Sequence, residues 1–178
     1  MTKSIREKLE STRPATKSSL GFSNDWQTPR LVKISISSGT GKAKDKKRNE
    51  LVADRLGKIT GQKPAFRGAK KSVASFKVRQ GDIIGVAVTL RGEQMYGFLD
   101  KLINVAFPRT RDFKGFDLSS IDNMGNLTIG IKEHTIFPEV ADEEIKDVFS
   151  LAITIVTTAS NKTEAQILFE SIGFPFKK

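Results

Sequence analysis

The sequence predicts an α+β fold in which amphipathic helices cover one face of a sheet and leave the other face open. Three observations carry this expectation. Segments with period-two apolar alternation occur in adjacent runs, helical periodicities fall between those runs, and no regular repeat links them. The expected order is α-β-α-β-β-α-β-β-α. With 178 residues and 38% hydrophobic side chains, the chain holds apolar material for one packed core, so one domain over residues 1–178 is expected.

Residues 1–29 are polar and basic and contain Pro14 with the pairs Ser18-Ser19 and Ser23-Asn24, which reads as a short helix over 3–12 followed by an irregular arm. Val32, Ile34 and Ile36 alternate with Lys33, Ser35 and Ser37, the pattern of a half-buried strand with one apolar and one polar face. A polar, charged run then leads into Leu51, Val52, Leu56 and Ile59, spaced for a helix. After the turn at 61–64, Ala65 begins a short strand. Residues 68–81 carry four basic side chains and Phe76 without lasting periodicity, and read as a long exposed loop or hairpin. Ile84, Val86, Val88 and Leu90 alternate with Gly85, Ala87, Thr89 and Arg91, a strand whose second face is flat. Met95, Phe98, Leu99, Leu102, Ile103 and Ala106 mark one helix face, which Pro108 ends. Leu127, Ile129 and Ile131 alternate after the turn at 122–125. A short helix or connection is expected over 139–148. Leu151, Ile153 and Ile155 define the last strand, and Asn161 with Glu164 looks like a capping box ahead of Ala165, Leu168, Phe169 and Ile172.

Composition narrows the chemistry. The absence of cysteine excludes disulfides, thiolate metal sites and a cysteine nucleophile, and His134 is the single histidine. The most apolar stretch, 151–159, is shorter than a membrane span, and the N-terminal residues carry charge without an apolar signal segment. No membrane association is expected, and composition gives little support to metal or covalent catalysis. The net charge of +10 is unevenly placed: residues 1–80 hold 20 Lys/Arg and 6 Asp/Glu, a net of +14, whereas residues 81–178 hold 10 and 14, a net of −4. A basic face for a polyanion is the natural reading, with nucleic acid the leading partner.

Several motifs bear on this. Gly39-Thr40-Gly41-Lys42 lacks the spacing of a phosphate loop, since Ile36 and Ala43 occupy the required positions, and reads as a glycine turn. Phe113-Lys114-Gly115-Phe116 echoes an RNA-recognition strand only weakly. A metal-dependent RNA-processing enzyme could be assembled from Asp117, Asp122, Glu133 and His134, but no fixed ligand spacing supports it over solvated turns and a partly buried histidine. In the loop at 68–81, Lys70, Lys71, Lys77 and Arg79 can neutralise phosphates, Ser72 and Ser75 can hydrogen-bond to phosphate or sugar oxygens, and Phe76 offers a stacking face. The run Lys42-Ala43-Lys44-Asp45-Lys46-Lys47-Arg48 reads either as solvation or as a further phosphate contact.

Many short segments then fall into one order. Gly61-Gln62-Lys63-Pro64, Ala69-Lys70-Lys71-Ser72, Phe76-Lys77-Val78-Arg79-Gln80-Gly81, Val88-Thr89-Leu90-Arg91-Gly92-Glu93, Phe98-Leu99-Asp100-Lys101-Leu102, Gly130-Ile131-Lys132-Glu133, Ile136-Phe137-Pro138-Glu139 and Ile155-Val156-Thr157-Thr158-Ala159 resemble bacterial-type large-ribosomal-subunit protein five, from Trp26 to Lys177. The resemblance implies a non-enzymatic protein with no essential cofactor and a curved, mainly antiparallel sheet. It implies that the open face binds 5S rRNA in the central protuberance, among large-subunit rRNA and neighbouring ribosomal proteins that include a small-subunit head protein. It also implies that the basic loop reaches the peptidyl-site tRNA, and that the chain works in cytoplasmic or organellar ribosomes. Combined with the polar strand faces and the basic loop read above, the expected rRNA-binding residues are Lys33, Ser35, Ser37, Gln62, Lys63, Arg67, Thr89 and Arg91, and the expected tRNA-binding residues are Lys70, Lys71, Ser72, Phe76, Lys77 and Arg79. Gln62 and Thr89 match polar residues that the family places against RNA. Ser37 stands where the family usually has Asn, which exchanges an amide donor and acceptor for one hydroxyl, and Gln94 stands where a basic residue is common.

Overall fold

The computed structural model describes residues 4–41, 46–111, 113–140 and 148–177. Among the described residues, four helices, α1 Ile5–Leu20, α2 Lys46–Thr60, α3 Gly92–Lys101 and α4 Lys162–Ser171, are interspersed with five strands, β1 Leu31–Gly39, β2 Ala65–Gly68, β3 Ile83–Leu90, β4 Leu127–Ile131 and β5 Leu151–Thr157. The chain order matches the expected one. The strands form an open antiparallel sheet in the order β2-β3-β1-β5-β4. The residues gather into two compact units, one comprising 1–34, 91–129 and 154–178 and the other 35–90 and 130–153.

The first unit corrects the reading of the N-terminus. Instead of ending near residue 12, α1 runs to Leu20 through Pro14. Its start is fixed by a capping box, in which Ser4 Oγ accepts from the Glu7 N–H at 3.2 Å and Glu7 Oε2 accepts from the Ser4 N–H at 3.2 Å. Ile5 is fully buried, and its N–H donates to Asp100 Oδ1 at 3.0 Å. Pro14 forfeits one intrahelical hydrogen bond. Packing of α1 on α3 and α4 outweighs that loss, because burying one large aliphatic side chain is itself worth about 1.5–3 kcal/mol.

Helix α3 passes directly into a wider turn over Leu102–Ala106, where the Phe107 N–H reaches back five residues to the Leu102 carbonyl at 3.0 Å. This widening changes which residues face inward. Phe107 and Ala106 are buried, whereas Ile103, expected on the apolar stripe, is only half-buried. Phe107 stacks on Phe113 at 5.4 Å and meets Phe116 and Phe174 edge-on at 4.9 and 5.5 Å. Phe113 and Phe116 are therefore packing residues, and the echo of an RNA-recognition strand has no structural counterpart. The chain end closes this cluster, with the Phe116 N–H donating to the Pro175 carbonyl and the Lys177 N–H donating to the Phe116 carbonyl, each at 2.9 Å.

The turn before β4 is held by Asp122. Its Oδ1 accepts from the N–H groups of Met124 and Asn126 at 3.0 and 2.7 Å, and its Oδ2 accepts from Asn126 Nδ2 at 3.0 Å. The hydrogen bonds from Asn126, backbone first and then side chain, hold this carboxyl below its ordinary pKa, with the Met124 N–H adding to them. Gly125 sits at φ +75°, where a Cβ would lie 2.7 Å from that of Ala159, and its carbonyl accepts from Thr157 Oγ1 at 2.7 Å. Helix α4 then starts at Asn161, whose Oδ1 accepts from the Glu164 N–H at 3.0 Å. Glu164 returns to the Ser160 N–H at 2.8 Å, one residue before the cap. Ala165, Leu168, Phe169 and Ile172 are buried as expected.

In the second unit α2 packs on β3 through Val52, Leu56 and Ile59, all buried. Residues 42–45 of the lysine-rich run lie outside the described residues. Strand β2 pairs with β3 as Ala65 with Ala87, Phe66 with Val86 and Arg67 with Gly85, and then shifts so that Gly68 faces Ile83. Ile84 is thus the extra residue of a bulge, which explains why it is 36% exposed although alternation placed it with buried Val86 and Val88. The helix expected over 139–148 falls mainly on residues 141–147, outside the described residues, and Pro138–Val140 forms a single 3-10 turn.

Two outcomes follow. Truncating Phe107 to Ala should cost about 3–5 kcal/mol by emptying the centre of the aromatic cluster, read as a lowered urea midpoint. Because the folded Asp122 carboxyl is depressed below 3.8, its contribution is fully present above that value and is lost as pH falls through the folded pKa. The urea midpoint of Asp122→Asn should therefore lie below that of the unmodified chain at pH 6, and the gap should close towards pH 2.

Candidate nucleic-acid interface

Strand alternation creates the candidate surface. In the second unit Ile36 and Ser38 of β1, Val86 and Val88 of β3, and Leu151 and Ile153 of β5 are buried. The intervening Ser35, Ser37, Ala87, Thr89, Gly130 and Ala152 are half-buried or exposed. Residues directly opposite in an antiparallel pair project to the same side, so Ala65 joins Ala87 and Arg67 joins Gly85 on this face. Almost every position is Gly, Ala, Ser or Thr, leaving the backbone within reach of a large ligand. Gly85 has its own reason: a Cβ there would lie 3.1 Å from the Ser38 carbonyl oxygen. Ser38, on the opposite side of β1, donates through Oγ to the Ser150 carbonyl at 2.8 Å. Ser37, Gly39, Gly130, Lys132 and Ala152 line a shallow groove of about 430 Å³ on the exposed side.

Gln62 and Lys63 are exposed in the turn after α2, which Thr60 stabilises by donating through Oγ1 to the Leu56 and Gln62 carbonyls at 2.7 and 3.2 Å. They border an open groove with Pro64 and with Phe66, whose ring is 47% exposed. Phe66 opposes buried Val86, so it lies on the side of the sheet that α2 covers and not on the face of Ala65 and Arg67; alternation with Arg67 is its only sequence signal. In the first unit Lys33 is half-buried on β1. Thr128 and Thr154 sit between buried residues of β4 and β5 with their hydroxyls 3.2 Å apart, and Arg91 is exposed just before α3. Val32, expected on the apolar face of β1, is 41% exposed and lines a cavity.

Residues 68–81 form a hairpin closed on itself. The Ala69 N–H donates to the Asp82 carbonyl at 2.8 Å and the Gly81 N–H to the Ala69 carbonyl at 3.0 Å, while Val73 and Val78 exchange N–H bonds at 2.9 and 3.2 Å. Asp82 Oδ2 accepts from the Arg79 N–H at 2.8 Å, and Ser72 Oγ accepts from the Gln80 N–H at 2.9 Å. Ser72 therefore uses one of its oxygen lone pairs inside the hairpin and keeps its hydroxyl proton for an outside acceptor. Ala74–Phe76 makes the tip, with Phe76 75% exposed, and Lys77 follows at φ 51°. Among the described residues Lys77 is the only non-glycine at positive φ, so the tip carries backbone strain at an exposed basic position.

Several cations outside the expected interface residues are held in ion pairs. Arg6 pairs with Glu10 and Glu93, Lys17 with Asp25 at 2.6 Å, Lys58 with Asp54 at 2.9 Å and Lys177 with Asp117 at 3.0 Å. Among the described residues Lys33, Lys63, Arg67, Lys70, Lys71, Arg79 and Arg91 have no carboxylate partner. Their charge remains available to an external anion.

Among the described residues, the acidic side chains do not build a metal centre. Asp117 is in an ion pair and Asp122 in a turn. His134 is fully buried and stacked on Phe149 at 4.0 Å, with Nδ1 accepting from the Phe149 N–H at 3.4 Å. Among the described residues no three His, Asp or Glu side chains are placed to hold a metal ion, and no helix is long and apolar enough to cross a membrane.

The family described as ribosomal protein L5 matches residues 24–79, and the family describing the C-terminus of the same ribosomal protein matches residues 83–176. Large ribosomal subunit protein uL5 of Thermoanaerobacter sp. (strain X514) is 48% identical over 176 residues, covering 98% of each chain. The protein of the same name from Synechococcus sp. (strain RCC307) is 47% identical over 169 residues, covering 94% of each. That of Thermus thermophilus is 45% identical over 174 residues, covering 97% of this chain and 96% of its own.

If the flatness of the exposed strand face is what admits a ligand, Ala87→Leu should leave the stability within about 0.5 kcal/mol of the original, read from the urea midpoint, because the added atoms enter solvent. The same substitution should reduce RNA affinity in a filter-binding assay.

Proposed function

This chain belongs to the ribosomal L5 family, a structural and non-enzymatic family, and from that premise we propose that it is a large-subunit constituent that binds 5S rRNA through its exposed strand face and contacts peptidyl-site tRNA through the hairpin at 68–81. The observation that carries this reading is the pairing of a small-residue sheet face with cations that have no carboxylate partner. A-form RNA is recognised largely by shape, ribose hydroxyls and phosphates. Ser35, Ser37, Gln62 and Thr89 supply short polar groups for ribose and base edges, and Lys33, Lys63, Arg67 and Arg91 supply phosphate contacts. The polyanion expected from the charge imbalance is thus assigned to rRNA, with other ribosomal proteins, including one of the small-subunit head, as neighbours.

The hairpin supplies a second contact of a different kind. Its internal hydrogen bonds present Lys70, Lys71, Lys77 and Arg79 around a projecting Phe76, a combination suited to a folded RNA backbone with one exposed base or ribose. The Ser72 hydroxyl adds one donor. Phosphate neutralisation positions the RNA, and the aromatic tip limits how closely the hairpin seats.

The test is equilibrium binding to 5S rRNA, tRNA and an unrelated structured RNA over a salt series. Affinity for 5S rRNA should fall by roughly three orders of magnitude between about 50 and 200 mM salt while its preference persists. Thr89→Ala and Arg67→Ala should weaken 5S rRNA binding, whereas Lys71→Ala and Arg79→Ala should leave it nearly unchanged and impair tRNA-dependent steps in reconstituted ribosomes. Equal affinity for all three RNAs, vanishing with salt, would overturn the specific reading.

A further inference from the structure

Trp26 is the single tryptophan of the chain, and it stands 71% exposed. Folding usually covers so large an aromatic surface. Its display is nonetheless rigidly built. The 3-10 turn Asp25–Gln27 is capped from Asn24, whose Oδ1 accepts from the Trp26 N–H at 3.1 Å and whose N–H donates to Gln27 Oε1 at 3.4 Å. Lys17 Nζ anchors the same turn to α1 by donating to Asp25 Oδ1 at 2.6 Å, and this bond, with the lysine charge, holds the Asp25 carboxyl below its usual pKa.

One side of the indole is already engaged. The Arg30 guanidinium lies 5.1 Å from the ring centroid, a cation–π arrangement. The Arg30 backbone is held in place, because its N–H donates to Thr158 Oγ1 and its carbonyl accepts from the Thr158 N–H, each at 2.9 Å. A guanidinium over a ring still presents its N–H edges to an anion. Beside it opens a cavity of about 510 Å³, lined by Arg13 as well as Arg30, with Leu31, Val32 and Tyr96 among its apolar walls. The acidic side chains there, Glu10 and Glu93, are tied to Arg6. Among the described residues Arg30 has no carboxylate partner, and Arg13 feels Asp25 only through space, since that carboxylate is bonded to Lys17.

We propose that Trp26, Arg30 and Arg13 form a second RNA contact, in which a nucleotide base stacks on the uncovered side of the indole and the adjoining phosphate is held by the two guanidinium groups. A nucleotide brings a flat ring and an anion within one repeating unit, and this surface offers a partner for each. An acidic peptide would satisfy the arginines but leave the indole unused. The contact lies within the first unit and uses none of the residues assigned to 5S rRNA or tRNA binding, so it stands or falls separately from those assignments.

Because Trp26 is the only tryptophan, its emission reports the site directly. The full chain is titrated with a dye-labelled oligoadenylate of about eight nucleotides, following indole emission and dye anisotropy together. The expected result is saturable quenching that tracks the anisotropy, roughly tenfold weaker binding for Trp26→Ala and Arg30→Ala, and substantial recovery of affinity for Trp26→Phe. Oligoglutamate of matching length should leave the emission unchanged. Anisotropy that saturates without quenching, or Trp26→Ala binding with unaltered affinity, would place the oligonucleotide elsewhere and overturn the proposal. Equal quenching by the oligoglutamate would overturn it in favour of an acidic protein segment.

Discussion

A sheet face that stays uncovered in the folded chain has to be made of side chains that tolerate water while the reverse of the same strands builds a core. This constraint organises the protein. Ile36 and Ser37, or Val88 and Thr89, are neighbours in sequence and opposite in environment, so each strand must satisfy packing and recognition at once. Helices can shield only the apolar side. The exposed side avoids becoming an adhesive patch through small residues and hydroxyls, which also keep it flat enough to meet a ligand as large as folded RNA.

Glycine and the beta bulge make that flatness compatible with tight strand packing. Gly85 admits the Ser38 carbonyl to a distance at which a side chain would have to push back. One residue earlier, Ile84 drops out of register, and the alternation that governs the remainder of β3 ends there. The hairpin begins from this irregular base, so the regular face and the projecting loop meet at one defined discontinuity.

Much of this was legible in the residues themselves. Period-two alternation located β1, β3, β4 and β5, and the spacing of Ala165, Leu168, Phe169 and Ile172 located α4, because burial on one side leaves an unmistakable pattern. What remained hidden depended on distant partners. Nothing local in residues 13–20 says that α1 continues past Pro14; packing on α3 and α4 decides it. The wide turn at Leu102–Ala106 likewise follows from the demand that Phe107 join Phe113, Phe116 and Phe174, three rings that arrive from later in the chain. Of the candidate site, the serines, threonines and cations could be read directly. Which cations lacked partners could not, since pairing depends on where Glu93, Asp25 and Asp117 come to rest.

The closed hydrogen-bonding of the hairpin has a thermodynamic consequence. Ordering a loop costs on the order of 1–2 kcal/mol of backbone entropy per residue, and a floppy basic loop would meet that cost each time it captured a ligand. Here Val73, Val78, Ser72 and Asp82 have already imposed the order during folding. A ligand engaged by the proposed hairpin contact would meet an already ordered tip, so an encounter could be brief and often repeated without the loop having to refold each time.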